Sequence, residues 1–288
     1  MKDAPLIIAH RGASGLRPEH TLEGYKLAAQ LGADVIEPDL VFTKDGHLIC
    51  RHDRYLSGST NVADKPDFAD RKRPDPQRPE PDWYAEDFTL AEIQTLKARQ
   101  PFPGRDTGYD DMFAIPTFAA LLELAKNEGW RLCPEAKQPA IAAANGHDFN
   151  AALEPFFEAA QSGEIGPSYI QCFDASWLKT IAKMDNMERV QLLYLPSGQS
   201  IDISALSAQC DAIGPNKDAL LAPSTLQQDA KAQGLKVYPW TFRSDQLPDG
   251  YVSLQEEYET FFKLGVDGLF SDHTADAVKA RSAWRETH

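Results

Sequence analysis

The chain has 288 residues, 42% of them hydrophobic and 25% charged, the proportions of a folded globular protein rather than a disordered one. A single α/β barrel commonly runs to about 250 residues, so one barrel with an insertion accounts for the length without a second domain. The formal net charge of -14 argues against nucleic-acid binding, which needs a basic footprint, and no apolar run approaches the roughly 20 residues of a membrane span.

The opening Met1-Lys2-Asp3-Ala4-Pro5 leads straight into a strand-like run and lacks the basic, apolar and small-residue regions of a secretory signal, which leaves a cytosolic protein or a mature form as the alternatives. The first strand, Leu6 to Ala9, ends on His10 and Arg11, and Thr21 to Leu31 then reads as a helix closed by Gly32. Asp34 to Thr43 is the second strand. Asp45-Gly46 follows between β-prone runs, a strong hairpin signal, so Leu48 to His52 returns antiparallel and is left out of the barrel count. With two central turn residues Lys44 faces His47, and stepping back one pair at a time sets Asp39 opposite His52. A directly opposed pair has Cβ atoms about 5 Å apart, which puts the imidazole beside the acid.

Residues 53–113 are rich in Pro and charge and too long for a simple βα loop. They read as an insertion at the catalytic rim, or more plainly as a solvated surface loop. One helix is expected in it, Leu90 to Ala98, with Thr89 as N-cap and Glu92 three residues on. Six further strands follow: Trp130 to Ala136, Ser168 to Phe173, Val190 to Leu195, Asp211 to Gly214, Lys236 to Phe242 and Asp267 to Ser271. Helical stretches at Leu153 to Ala160, Leu226 to Gln233 and Leu254 to Leu264 lie between several of them. Eight strands alternating with helices, and no Gly-rich dinucleotide fingerprint, favour a closed parallel barrel, the TIM (β/α)8 barrel, over a doubly wound sheet, spanning 1–288 as one domain.

Active sites of such barrels sit at the C-terminal ends of the strands, where His10 and Arg11 fall. Glu37 and Asp39 are two apart in a strand, so both carboxylates project to one face while Pro38 points away. Glu135 ends the third strand as another inward acid, with Lys137 two residues on. Like charges are costly to bury unless a cation or proton is shared, or unless Arg or Lys pairs with them. Three converging carboxylates make a hard oxygen site suited to Ca²⁺ or Mg²⁺, and the flexible geometry of Ca²⁺ makes it the preferred ion. Cys50, Cys133, Cys172 and Cys210 have no short paired spacing, which speaks against structural zinc.

His10-Arg11-Gly12-Ala13, Pro18-Glu19-His20-Thr21, Glu37-Pro38-Asp39-Leu40, Thr43-Lys44-Asp45-Gly46, His52-Asp53, Glu135-Ala136-Lys137 and Gly265-Val266-Asp267-Gly268 together resemble the glycerophosphodiester phosphodiesterase family. Each motif alone is weak; the ordered set is specific and spans nearly the whole chain. Thr60 to Asp64, Asp87 to Leu90 and Arg243-Ser244-Asp245 look like the periplasmic, insertion-bearing branch, which implies a processed form of a periplasmic or secreted protein. Departures from the family pattern are Pro38 in the metal strand and His20 in place of a frequent Asn.

The resemblance implies hydrolysis of glycerophosphodiesters to sn-glycerol 3-phosphate and an alcohol. It implies that Glu37, Asp39 and Glu135 hold one divalent ion, that His10 and His52 act as general acid and base, and that Arg11 and Lys137 hold the phosphate. Phe173 and Trp240 match aromatic positions at the substrate mouth and either pack on glycerol carbons or face a choline-type cation, or are ordinary packing residues of the barrel rim. Two nucleophiles stay open, water and the substrate's own glycerol 2-hydroxyl; similarity to barrel phospholipases favours the hydroxyl. The rivals are a sphingomyelinase D-like phospholipase or lyase and a non-catalytic ligand-binding barrel. The insertion either covers the rim or contacts a second subunit, which leaves a homodimer open.

Overall fold

A computed structural model describes residues 4–196, 199, 201–221 and 223–287; the opening Met1-Lys2-Asp3 lies outside the described residues. In chain order the strands are β1 (Leu6–His10), β2 (Val35–Glu37), β3 (Asp39–Phe42), β4 (Leu48–Cys50), β5 (Arg73–Asp75), β6 (Arg78–Asp82), β7 (Glu135–Ala136), β8 (Ser168–Cys172), β9 (Met187–Leu193), β10 (Ala212–Pro215), β11 (Lys236–Val237) and β12 (Gly268–Ser271). Parallel pairing runs β12-β1-β2 and β3-β7-β8-β9-β10-β11. The two rows close into a ring, because β2 and β3 are one run of chain interrupted at Pro38 and Phe242, beyond β11, bridges Ser271 of β12. The result is the expected barrel of eight parallel strands.

Several strands are shorter than the apolar runs that encode them, and proline is the reason. Pro38, Pro134 and Pro239 have no N–H to give to the ladder. Their carbonyls still accept, from Glu135 N at 2.8 Å, Gln171 N at 3.0 Å and Phe270 N at 3.0 Å, so the barrel stays continuous across each break.

Side chains alternate strictly between the two faces of these strands. Ile7 and Ala9 pack outward under the helices, in a large apolar cluster with Tyr25, Leu121, Phe156 and Phe261. Ile8 turns inward and meets Val35, Cys133, Tyr169, Val190, Ala212, Tyr238 and Phe270, one residue from each of the eight strands. This layer fills the barrel with apolar volume, so the barrel is a packed core and not a pore. All four cysteines are buried and unpaired.

The helices begin and end where capping chemistry puts them. Thr21 Oγ1 accepts from Gly24 N at 3.1 Å to open Leu22–Gln30, and Ser253 and Gly265 bound Leu254–Leu264 as the sequence predicts. No helix among the described residues is long and apolar enough to cross a membrane.

The hairpin departs from the two-residue turn expected of Asp45-Gly46. Thr43 N donates to His47 O at 2.9 Å, closing a three-residue loop in which Gly46 takes φ +84°. A type I turn followed by a left-handed glycine is the second commonest hairpin geometry, and Thr43 favours it by accepting from His47 N through Oγ1 at 3.0 Å. The extra loop residue shifts the register by one. Leu40 pairs with Cys50, and Arg51, not His52, donates its N–H to Asp39 O.

The 53–113 segment has its own small core: Leu56, Val62, Trp83, Phe88, Ile93 and Leu96 pack against Val41 and Ile49 of the hairpin. It is more than a solvated loop. Its expected helix is only Leu90–Ile93, opened by the predicted capping box of Thr89 and Glu92. Beyond it Lys97 and Ala98 leave the helical path to bridge Ala114 and Thr60.

Candidate active site

Two residues beyond the apolar layer, the same inward faces change chemistry. Ile8 is followed at that spacing by His10, Val35 by Glu37, Cys133 by Glu135, Tyr169 by Gln171, Val190 by Leu192, Tyr238 by Trp240 and Phe270 by Asp272. The period of two therefore stacks a polar layer on an apolar floor, at the strand ends where barrel sites form.

Glu37, Asp39 and Glu135 converge there, with ligand oxygens all within 4.8 Å of one another. Burial, then the charge of Asp39, raises the Glu37 carboxyl well above its ordinary range. Burial likewise pushes Glu135 up to about 8 against the pull of Lys137. For Asp39 burial is outweighed by Lys137, His52 and its bond to His20, which hold it well below the usual range. The cluster thus retains protons that a divalent cation would displace, and its all-oxygen donor set fits such an ion. Gln171 lines the same space; its Nε2 donates to Glu37 Oε1 at 2.9 Å, and its amide oxygen has no partner among the described residues.

Two cations flank the acids. Lys137 Nζ lies 2.9 Å from Glu135 and 3.6 Å from Asp39. Arg11 takes a left-handed φ of 59°, a strained value for a side chain of its size. That turn aims its N–H at Glu37 Oε2, 2.8 Å away, and swings its guanidinium to Glu19 at 2.8 Å with Nε 3.3 Å from Asp39. His20, fully buried, also has a left-handed φ of 56°. Burial pulls it down to about 4, so it is neutral: Nε2 donates to Asp39 at 2.9 Å and Nδ1 accepts from the Tyr25 hydroxyl at 2.8 Å.

The two predicted catalytic histidines face one cleft of about 160 Å³, which Arg11, Glu37, Glu135, Lys137, Phe173 and Trp240 also line. Asp39 lies beneath it, 1% exposed. His10 Nδ1 donates to Asp272 Oδ1 at 2.6 Å, and His52 Nδ1 to Asp53 Oδ1 at 2.9 Å, which leaves the other nitrogen of each ring without a hydrogen-bond partner among the described residues. Burial, then Arg11, lowers the pKa of His10 while Asp272 opposes the shift. His52 reaches the cleft although the register that placed it there is wrong by one; it arrives from just past the end of β4. Phe173 is 46% exposed and meets Trp240 edge to face at 5.9 Å, and the Trp240 indole is fixed by donation to Gly214 O at 2.7 Å.

A model of the Glycerophosphoryl diester phosphodiesterase family matches residues 10–276. The chain belongs to that family. It is 32% identical to a glycerophosphodiester phosphodiesterase of Arabidopsis thaliana, over 94% of this chain and 84% of that one. Identity to the glycerophosphodiester phosphodiesterase of Haemophilus influenzae is 31%, over 97% and 90%. Among solved structures, a putative glycerophosphoryl diester phosphodiesterase from Silicibacter pomeroyi shares the fold with a TM-score of 0.74 at 22% identity, covering 98% of this chain and 94% of that one. A phosphodiesterase of Oleispira antarctica, solved in complex with the product sn-glycerol-3-phosphate, has a TM-score of 0.69 at 22% identity, with 97% of each chain covered. The family member described here is accordingly an enzyme of phosphodiester cleavage.

Four residues that sequence reasoning left without a role complete the site. Asp272 follows β12 as His10 ends β1, and the same strand-end rule points to it. His20 and Glu19 sit in a motif noted only for its resemblance. Arg51 is fully buried and donates to the carbonyls of Cys50, Ser59, Glu19 and His20, tying the hairpin return to the loop after β1. Only the turn geometry reveals it.

Proposed function

We propose that this enzyme hydrolyses glycerophosphodiesters such as glycerophosphocholine or glycerophosphoethanolamine to sn-glycerol 3-phosphate and an alcohol, with one divalent cation, Ca²⁺ in preference to Mg²⁺, held by Glu37, Asp39 and Glu135. The observation that carries this reading is the meeting of three carboxylates within 4.8 Å beside two imidazoles that line one cleft. A bound cation supplies charge neutralisation for a non-bridging phosphate oxygen. Ca²⁺ is preferred because an all-oxygen set tolerates its flexible coordination.

The chain's own residues do the rest. Arg11 offers a planar donor fork and Lys137 a point charge to the phosphate, stabilising negative charge as it grows in the transition state. Because Asp272 and Asp53 accept from the Nδ1 atoms, both rings act through Nε2. One ring takes the proton of the attacking hydroxyl, and the other gives a proton to the leaving alcohol oxygen. The attacking group is the substrate's glycerol 2-hydroxyl. Its oxygen bonds to phosphorus as the headgroup alcohol leaves, and water then opens the cyclic phosphate to glycerol 3-phosphate with the two rings in exchanged roles. Phe173 and Trp240 pack against the headgroup side of the mouth.

The test is release of glycerol 3-phosphate from glycerophosphocholine with and without EDTA. Metal-dependent release is expected; a stable cyclic product would reassign the chain to a lyase, and no product from any glycerophosphodiester to a binding protein. A 2-deoxyglycerol diester should not turn over, and normal turnover on it would remove the internal nucleophile.

A further inference from the structure

We propose that Arg105, carried by the 53–113 segment, is a positioning residue that acts on His10 through Asp272, which makes that segment part of the catalytic apparatus. The proposal rests on the reading of His10 as a proton carrier.

Asp272 divides its two oxygens between two tasks. Oδ1 accepts from His10 Nδ1 at 2.6 Å, while Oδ2 accepts from Arg105 Nη2 at 2.7 Å and from Arg243 Nε at 2.9 Å. With Oδ2 gripped from two sides the carboxylate cannot swing, so Oδ1 stays in the plane that fixes the His10 ring and keeps its proton on Nδ1. The Nε2 lone pair is then the atom presented to the cleft. Against the cost of burial, His10 first and then Arg243 and Arg105 hold Asp272 well below the usual carboxylate range, so it accepts from the imidazole without taking its proton.

Arg105 is itself held on every side. Its Nε donates to Asp245 Oδ2 at 2.6 Å, its Nη1 to Ser14 O at 3.2 Å, and its guanidinium carbon stacks 4.0 Å from the centre of the Phe102 ring. Its side chain is 2% exposed, whereas that of Arg243 is 25% exposed and more open to screening by water. Anchoring of the segment does not call for this arrangement. Gln100 Nε2 already ties the segment to the barrel through Ser14 O at 3.1 Å and Arg17 O at 3.3 Å. Burying an ion pair is a poor route to stability, because desolvation offsets the Coulombic gain. A buried arginine that reaches from the segment to the carboxylate behind His10 is accounted for by the orientation it imposes.

The experiment compares kcat and KM on glycerophosphocholine for the full chain and for Arg105→Ala, Arg105→Lys, Gln100→Ala and His10→Ala. Loss of an outer-shell partner of a metal-site histidine costs about 10 to 100-fold, and Arg105→Ala is expected to lower kcat by the same order with KM within about twofold. Arg105→Lys is expected to fall similarly, since an ammonium cannot span Asp245 and Asp272 as the fork does; it also carries the test if the alanine variant does not fold. Added guanidinium ion at low millimolar concentration should restore part of kcat to Arg105→Ala and none to Arg105→Lys. Gln100→Ala should keep the full rate. Unchanged kcat in both Arg105 variants with His10→Ala inactive overturns this proposal alone, as does an equal loss in Gln100→Ala, which would mean that the segment merely loosens. An active His10→Ala overturns the reading beneath it.

Discussion

Two adjacent layers of the same eight strands do opposite work. The lower one, Ile8 to Phe270, is apolar and fills the barrel; the upper one, two residues further along most of the strands, carries the acids, an imidazole and their partners. The lesson is that the floor makes the site possible. It excludes water below the acids, and that burial is the largest influence raising Glu37 and Glu135, so that they hold protons which a cation must displace.

The largest expected effect separates the layers by chemistry. His10→Ala and His52→Ala should each lower kcat by about 10² to 10⁴-fold while divalent-ion binding, measured by titration calorimetry, is retained; an active single variant breaks the two-histidine assignment. The floor should respond in the other currency. Ile8→Ala leaves a cavity among packed neighbours and should cost about 2 to 5 kcal/mol of stability in denaturant unfolding, with kcat per folded molecule unchanged. A fall in kcat at full folding would mean that the floor sets the site's geometry as well as its dryness.

A smaller effect concerns the protons held by the upper layer. Glu135 keeps its proton below about 8, so a cation must displace it at neutral pH, and apparent affinity should fall about tenfold per pH unit below that value for each proton displaced. Above it the contribution of Glu135 should flatten. Calorimetry in buffers of different ionisation enthalpy reads the released protons directly, and an affinity independent of pH would contradict the raised carboxyl. Smallest is the mouth: Phe173→Ala should raise KM for glycerophosphocholine by about twofold to fivefold, as loss of a partly exposed cation–π or packing contact worth about 0.5–1 kcal/mol implies, with kcat unchanged.

Much of the upper layer was legible because strand ends and the period of two are local signals. His10, Glu37, Asp39 and Glu135 follow from them without any tertiary information. His52 was reached by a wrong path. Asp45-Gly46 does mark the hairpin, but whether the loop holds two residues or three depends on the Thr43 hydroxyl bonding His47 N, a preference too small to read from a dipeptide. Asp272 was within reach of the same strand-end rule. Arg105 was not: nothing near position 105 indicates that a residue of the long segment returns across the barrel mouth to position 272. The left-handed turns at Arg11 and His20 are also imposed from a distance, by Glu37, Asp39 and the carbonyl contacts of Arg51.

The account stands on the acids of the upper layer acting as a cation cradle. Calorimetric titration of Ca²⁺ into the metal-stripped chain and into Glu37→Gln, Asp39→Asn and Glu135→Gln tests this most directly. A single bound ion in the parent, with affinity lost in each variant, is the predicted result. Ca²⁺ binding by all three variants equal to that of the parent would contradict it.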